Sequence, residues 1–275
     1  MRFRTPLLLV LLAAQALSCR ADNISVVFYD SRYGTLNDAT GAYTAIGTLP
    51  VSASAGIAAM NGLLYLEDFS NNLYSVNALS GTAHLVGNAG SNTITAVFGG
   101  GANGLFELDA ASNLYSINSS DGHATLVGYT GIFATNGNYD TSLSGDGASL
   151  YFTVGRPGAK NELYSINTST GRATDLGSTG VTGIAGSAYV NGNLELYQYG
   201  QQRNYIYTAT VGSTDFVRGA SLATGIIDGG AVLQSLATSA SAVPVVPEPA
   251  TFWLLGWGFG IAGWKQHQLR KSSKL

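Results

Sequence analysis

The sequence predicts an all-β protein made of repeated units of four strands, and three observations support this prediction. Glycine, serine, threonine and asparagine alternate with β-branched and aromatic residues, a composition typical of short strands joined by tight turns. One phrase recurs along the chain with few changes. Its copies are spaced about 40 to 50 residues apart, a period typical of repeat architectures whose units cannot bury their own faces.

The repeated phrase predicts a β-hairpin in each unit. It reads NLYSVNALSGTAHLVG at residues 72–87, NLYSINSSDGHATLVG at residues 113–128 and ELYSINTSTGRATDLG at residues 162–177. Residues 34–47 fit the same frame, and residues 205–210 begin a degraded fifth copy. We expect a positive φ at the glycine that ends each loop, which is Gly41, Gly81, Gly122 or Gly171. We also expect packing between units by the tyrosines of the first hairpin strand, Tyr74, Tyr115, Tyr164 and Tyr207.

Two more strands are predicted ahead of each hairpin. The nearer one falls at residues 63–67, 104–108, 149–154 and 193–199. The one before it is rich in small residues and falls at residues 56–60, 94–98, 141–144 and 183–189. Four strands at this period are typical of a propeller blade, and small residues suit the crowded strand beside the central axis. The sequence therefore predicts a five-bladed β-propeller, with an open β-solenoid or a stacked β-sandwich as alternatives.

The two ends of this region predict how the ring closes. Residues 24–30 read as the second strand of a unit, whereas residues 225–234 read as a first strand with nothing after it. One blade would then combine both termini, which removes the open edges of the sheet. The phrase also resembles the blades of bacterial secreted propeller proteins, over most of residues 24–235. This resemblance implies the fold and no activity, because propellers host unrelated functions.

The N-terminal residues 1–21 predict a secretory signal peptide. Arg2 and Arg4 precede an apolar run and then small residues, so signal peptidase would cleave after Ala16 or Ala21. Lipidation of Cys19, the single cysteine, is an alternative, because the residues before it resemble a degenerate lipoprotein box. If Cys19 leaves with the signal, no disulfide can stabilise the mature chain.

The C-terminal end consists of three parts in a fixed order. A short motif comes first, and its residues are Val246, Pro247, Glu248, Pro249 and Ala250. Its two prolines hold the backbone extended and exclude a helix. The apolar residues 250–264 predict a single transmembrane helix of about 22 Å, which is short for a hydrocarbon core of about 30 Å. A basic stop follows, and the positive-inside rule keeps it cytoplasmic. Its residues are Lys265, Arg270, Lys271 and Lys274.

This order of parts resembles the PEP-CTERM sorting domain of Gram-negative bacteria, a segment that also carries the label ice-binding protein C-terminal domain. The resemblance covers residues 247–275 only. It implies export, anchoring in the inner membrane through residues 250–264, and recognition by an exosortase, a membrane cysteine peptidase. A plain anchor that is never cleaved is the alternative. The predicted domains are the signal peptide at residues 1–21, the propeller at 23–236, a linker at 237–246 and the sorting segment at 247–275.

Charge and composition limit the chemistry of the exported part. Residues 23–243 contain six Lys and Arg and fourteen Asp and Glu, so a nucleic-acid partner is excluded for want of a basic stripe. His84 and His123 are predicted to be exposed, and no His or Cys spacing resembles a zinc site. Residues 99–101, three glycines, are predicted to form a loose turn, because no helix or lysine follows them as a phosphate loop requires. We predict no catalytic residue, no metal site and no cofactor.

Carboxylates are the remaining candidates for chemistry. Four of them are predicted at equivalent places near the end of a second strand, namely Glu67, Asp68, Glu107 and Asp109. Three others are predicted in glycine-rich loops, namely Asp140, Asp146 and Asp228. Such residues could bind Ca²⁺ or act as a glycosidase pair, but the interpretation that we favour is a solvated rim.

The predicted function is a non-enzymatic binding or structural module of the cell envelope or extracellular matrix, with exopolysaccharide as the candidate ligand. One alternative is a secreted glycan-active enzyme that uses loop carboxylates in the central channel. Another is a surface- or ice-binding protein, for which we find no regular Thr-x-Thr array. The expected processing partners are signal peptidase and an exosortase.

Overall fold

The five-bladed β-propeller predicted from the sequence is confirmed. A computed structural model describes residues 23–51, 54–90, 95–101, 103–132, 140–156, 158–200, 204–222, 225 and 227–231. These residues form twenty β-strands, arranged as five antiparallel sheets of four strands. Each sheet is one blade, and its four strands lie side by side from the central axis outward.

The blades are composed as follows, from the innermost strand to the outermost. Blade 1 contains β20 (Ile227–Ala231), β1 (Asn23–Phe28), β2 (Arg32–Asn37) and β3 (Tyr43–Thr48). Blade 2 contains β4 (Ser54–Met60), β5 (Leu63–Asp68), β6 (Asn72–Val76) and β7 (Ala83–Asn88). Blade 3 contains β8 (Thr95–Gly101), β9 (Gly104–Asp109), β10 (Asn113–Ile117) and β11 (Ala124–Tyr129). Blade 4 contains β12 (Asp140–Gly145), β13 (Ser149–Gly155), β14 (Lys160–Asn167) and β15 (Ala173–Thr182). Blade 5 contains β16 (Ile184–Val190), β17 (Asn193–Gln198), β18 (Asn204–Thr210) and β19 (Val217–Leu222).

Strand β20 closes the ring, as the sequence predicts. It pairs antiparallel with β1, so that Val26 lies opposite Gly230 and Ser25 lies opposite Ala231. The inner strands then contact one another in the cyclic order β20, β4, β8, β12, β16 and back to β20. Both termini of the propeller region therefore build blade 1, which makes blades 1 and 5 neighbours like all the others.

The inner strands approach one another so closely that glycine is required at several positions. A Cβ atom on Gly56 would overlap the carbonyl oxygen of Phe98 in the next blade, and a Cβ atom on Gly99 would overlap that of Leu143. This crowding explains the small-residue composition of the first strand. The three glycines at residues 99–101 complete β8 and do not form a turn, so that prediction is wrong. Gly99 and Gly101 are glycines because β8 passes directly beside β12, whereas a Cβ atom on Gly100 would overlap the carbonyl oxygen of Gly104 in β9.

The central channel is narrow. Cα atoms of β12 lie within 8 Å of Cα atoms of both β20 and β4, although these strands belong to blades that are not neighbours of blade 4. Atoms in contact are about 3.5 to 4 Å apart, so this spacing leaves room for little more than one further layer of atoms. A sugar ring cannot pass along the channel at this level.

The hydrophobic core lies between the blades, in five clusters of buried side chains. Each cluster joins two neighbouring blades, as where Phe106 of blade 3 packs in one cluster with Leu143 and Phe152 of blade 4. The four tyrosines predicted to pack between units do so, each against one cluster; they are Tyr74, Tyr115, Tyr164 and Tyr207. Because a blade buries both of its faces against others, we expect no blade to be stable alone.

Both glycines of the repeated phrase take part in contacts between blades. The loop glycines have the predicted positive φ, for example 78° at Gly122 and 74° at Gly171. The glycine that ends the phrase, Gly87 or Gly128, lies against the hairpin loop of the next blade. A Cβ atom on Gly128 would overlap the carbonyl oxygen of Thr170. The repeated phrase therefore specifies the hairpin and also the contact between this hairpin and the outer strand of the blade before it.

Candidate functional site

The propeller has two ends, which carry different groups. We call one end the turn face; it carries the turns between second and third strands and the segments that connect successive blades. We call the other the hairpin face; it carries the loops of the repeated phrase. The first strand of each blade begins at the turn face, and the second strand ends there. Most of the carboxylates singled out in the sequence lie near the turn face.

Asp68 and Asp109 cap equivalent turns at this end. The Oδ1 atom of Asp68 accepts a hydrogen bond from the backbone N–H of Asn72 at 3.0 Å, and its Oδ2 accepts one from the Tyr74 hydroxyl at 3.1 Å. Asp109 accepts from the backbone N–H of Asn113 at 2.7 Å. Both carboxylates are buried. The predicted solvated rim is therefore wrong for them, because the turn needs an internal acceptor for its N–H groups.

Glu67 and Glu107 are also buried, with no exposed surface. They do not occupy equivalent positions, contrary to the prediction. Glu67 alternates with Tyr65 on one face of β5, and Glu107 alternates with Leu105 on one face of β9. Because Tyr65 and Leu105 share the cluster between blades 2 and 3, both glutamates are directed into that interface. A substrate cannot reach them there.

The three carboxylates predicted in loops have separate positions. Asp146 lies in a turn, where its Oδ1 accepts hydrogen bonds from the backbone N–H groups of Ala148 and Ser149, both at 2.8 Å. Asp140 and Asp228 belong to the inner strands β12 and β20. The prediction of loops is wrong for these two: β12 begins at Asp140, one residue before the predicted strand, and Asp228 is the second residue of β20, inside the region predicted as a first strand.

Asp140 forms a short hydrogen bond with Tyr199, in which the phenol donates to the Oδ1 atom of the carboxylate. Burial raises the pKa of Asp140, and burial together with this hydrogen bond raises the pKa of Tyr199 to about 12. The phenol therefore remains protonated near neutral pH. The bond connects blade 4 to the end of β17 in blade 5 and is suited to holding the blades together.

Asp228 lies beside the axis at the ring closure. Its Oδ2 atom accepts a hydrogen bond from the Ser54 hydroxyl of β4 at 2.9 Å. Burial raises the pKa of Asp228 to about 7, against a smaller opposite effect of the Ser54 hydrogen bond. The charge of Asp228 therefore changes near neutral pH.

An aromatic pair of one exposed and one partly exposed ring lies on the turn face. The rings of Tyr29 and Phe69 have centroids 6.4 Å apart, and Tyr29 is 55% exposed. They follow the second strands of blades 1 and 2. An ion pair between Arg32 and Asp30 lies beside Tyr29, with 2.8 Å between Nε and Oδ2. Sequence reasoning missed this pair, although an aromatic residue directly after the second strand in two successive units was visible.

The remaining candidates are accounted for. His84 and His123 are exposed, as predicted. Among the residues that the structure describes, no group of three or more His, Cys, Asp or Glu side chains could hold a metal ion. The signal peptide, the sorting motif at residues 246–250, the predicted membrane segment and the basic stop lie outside the described residues. No helix in the described part of the chain is long and apolar enough to span a membrane.

Comparison with known proteins supports the fold alone. A chain in the crystal structure of a nidogen/laminin complex superposes with a TM-score of 0.52 at 9% sequence identity. The match covers 78% of this chain and 98% of that one. No family model and no curated protein sequence matches the chain. The resemblance of the C-terminal end to a PEP-CTERM sorting domain therefore has no support from these comparisons. The class shown is that of a five-bladed β-propeller.

Proposed function

We propose that this protein is an exported binding or structural module of the cell envelope or extracellular matrix, with a polysaccharide as its ligand. The observation that carries the proposal is the pair of exposed Tyr29 and partly exposed Phe69 on the turn face. Aromatic rings offer apolar surface on which a sugar ring can pack, and neighbouring polar groups can bind its hydroxyls. The ion pair of Arg32 and Asp30 supplies such groups beside Tyr29.

The positions of the carboxylates support binding rather than glycan cleavage. A glycosidase needs two accessible carboxyl groups that flank the bond to be broken. Asp68 and Asp109 bond to the turns that they cap, and Glu67 and Glu107 are buried between blades. The narrow channel gives a sugar no route to its interior.

Export and C-terminal processing are proposed from the two ends of the sequence. Residues 1–21 have the order of a signal peptide, and residues 247–275 have the order of an exosortase-sorted segment. We expect intact-mass analysis of the protein from its host to show the loss of both ends. Recovery of a cytoplasmic protein that retains Met1 and Leu275 contradicts the proposal.

Retention on immobilised envelope polysaccharide tests the binding function. We expect the wild-type protein to be retained and to release no sugar fragments. Tyr29→Ala and Phe69→Ala should each weaken retention, since stacking on an aromatic ring contributes about 1 kcal/mol. Tyr129→Ala is the matched control, because Tyr129 is similarly exposed at 50% but lies on β11. Reproducible cleavage that is lost on replacing Glu67, Asp68, Glu107 or Asp109 by Ala makes the protein an enzyme instead.

A further inference from the structure

Blade 2 differs from the other blades at the hairpin face, where it exposes two leucines. Leu63 begins β5 and is 52% exposed, and Leu79, in the loop between β6 and β7, is 91% exposed. The register of β5 and β6 places Leu64 opposite Val76. Because the two strands are antiparallel, Leu63 lies opposite Asn77, two residues before Leu79. We call this part of the hairpin face, formed by the loops at residues 60–63 and 77–82, the blade 2 corner.

The fold does not require leucine at these two positions. The residues that take the place of Leu63 in the other blades are Asn23, Gly104, Ser149 and Asn193. The residues that take the place of Leu79 in the other complete copies of the repeated phrase are Ala39, Ser120 and Ser169. Single exposed leucines are common on protein surfaces. Two of them at one corner, where the other blades are polar or small, indicate contact with an apolar partner.

The blade 2 corner is also uncharged. Its two loops read MNGL at residues 60–63 and NALSGT at residues 77–82. Each of the other four blades has an acidic residue in a loop of the hairpin face, namely Asp38, Asp121, Asp146 and Asp215. The blade 2 corner can therefore leave water without the cost of dehydrating a charged group, which the corresponding corners of the other blades cannot do.

Both ends of the described propeller chain lie at the hairpin face. Inner strands end there and second strands begin there, so β20 ends at Ala231 and β1 begins at Asn23 on this side. Strand β20 is a neighbour of β4, which brings the end of β20 beside blade 2. The apolar residues 250–264, which are predicted to enter the membrane, follow Ala231 after 18 residues, and Cys19, the alternative lipid attachment, precedes Asn23 by four. Either attachment therefore tethers the propeller by its hairpin face.

We propose that the blade 2 corner contacts the lipid surface of the membrane, with Leu63 and Leu79 in the interfacial layer, while the C-terminal segment anchors the chain. Two leucines alone give weak and reversible binding to lipid. A tether to the same membrane raises the effective concentration of the corner at the lipid surface, so a weak contact is sufficient. This inference rests on the proposed export and on the predicted membrane anchor. It directs the turn face, with Tyr29 and Phe69, away from the membrane.

Quenching of a fluorescent label by lipid tests this orientation. The full-length chain, with Cys19→Ser to remove its natural thiol, is reconstituted in phosphatidylcholine vesicles that contain a lipid with a nitroxide on its headgroup. The label is attached at Ser80→Cys in the blade 2 corner or, in a second protein, at Ser70→Cys in the turn at the opposite end of the same blade. The six residues of β5 separate the two ends by about 20 Å, at about 3.3 Å per residue. We expect strong quenching at position 80 and weak quenching at position 70.

Replacement of both leucines by serine should remove the contact. Leu63→Ser combined with Leu79→Ser should reduce the quenching at position 80 to the level at position 70, because it shifts the contact equilibrium by at least about tenfold. The double variant should fold, since blade 4 has Ser149 and Ser169 at these places, and its melting temperature serves as the check. Leu126→Ser is the matched control and should leave the quenching unchanged, because Leu126 is 58% exposed but lies on the outer strand β11.

Equal quenching at positions 70 and 80, or quenching at position 80 that survives the double variant, overturns this inference. Flotation with the vesicles measures the anchor separately, so a chain that does not float contradicts the proposed anchoring as well. A dimer in detergent that the double variant abolishes makes a second copy of the chain the occupant of the blade 2 corner, and also overturns the inference. Retention of the double variant on envelope polysaccharide should equal that of wild type, so a failure of polysaccharide binding is recognised independently.

Discussion

At the scale of single residues, Asp68 and Asp109 are buried carboxylates that accept hydrogen bonds from the turns after their strands. The sequence had suggested solvated side chains at both positions. Asp109 ends β9, and the turn after it contains Ser112 with a φ of 70°. The same arrangement recurs at Asp68 and Asn71, where φ is 64°. Two features therefore fix each turn. One is a residue with a positive φ, and the other is a carboxylate that accepts a hydrogen bond from the backbone N–H four residues later, at the start of the next strand.

We predict that Asp109→Ala lowers the free energy of unfolding by about 2 kcal/mol, because it leaves the partly buried backbone N–H of Asn113 without its acceptor. Urea denaturation of the full-length protein measures the change. Asp215→Ala, at an exposed position, should leave the free energy within about 0.5 kcal/mol of wild type. Equal effects of the two substitutions would mean that the cap does not stabilise the turn.

Asp228 gives a prediction about pH. Its pKa in the folded protein is raised from 3.8 to about 7, so the folded state binds its proton more tightly than the unfolded state does. Its contribution to stability is therefore greatest below about pH 4 and is lost as the pH rises to about 7. The melting temperature of Asp228→Asn should exceed that of wild type increasingly over this interval. A difference between the two proteins that does not change with pH contradicts the raised pKa.

At the scale of elements, the strands could be predicted and their irregularities could not. The alternation of small, apolar and turn residues placed the strands of the first four units, and a loop glycine marked each of their hairpins, whereas the outer strand β19 of the degraded fifth copy was not predicted. The β-bulges at Ala55 in β4 and Asp228 in β20 were not visible, because a skipped partner depends on two strands at once. The orientation of Glu67 and Glu107 toward one interface could not be predicted either, because alternation gives the face of each strand but not the blade that packs against it.

The contact between the repeated phrase and the next blade can be tested with one matched pair of glycines. A Cβ atom on Gly128 would overlap the carbonyl oxygen of Thr170, whereas one on Gly47, at the same place in blade 1, would lie 3.9 Å from that of Ser80. We predict that Gly128→Ala costs about 2 kcal/mol of unfolding free energy and that Gly47→Ala costs little. Chemical denaturation compares the two, and a similar loss in both would show that the blade contact does not limit this position.

At the scale of the whole molecule, closure through β20 joins the two ends of the propeller into one cooperative unit. Deletion of residues 225–275 removes β20 and uncovers Ile24 and Phe28, which are fully buried in the cluster between blades 5 and 1. We predict a large fall in melting temperature for this truncation. Deletion of residues 240–275, which keeps β20, should cause a much smaller fall. Equal melting of the two proteins would contradict the closed ring.

The position of β20 in the chain also sets the order of events during synthesis. Strand β1 is synthesised first among the strands, but its inner partner β20 is synthesised last. The two strands therefore cannot pair until almost the entire propeller has been made. Closure therefore cannot precede the delivery of residues 227–231, and the earlier blades remain without their last neighbour until then. If the chain is exported as we propose, it therefore has to cross the membrane with the ring still open.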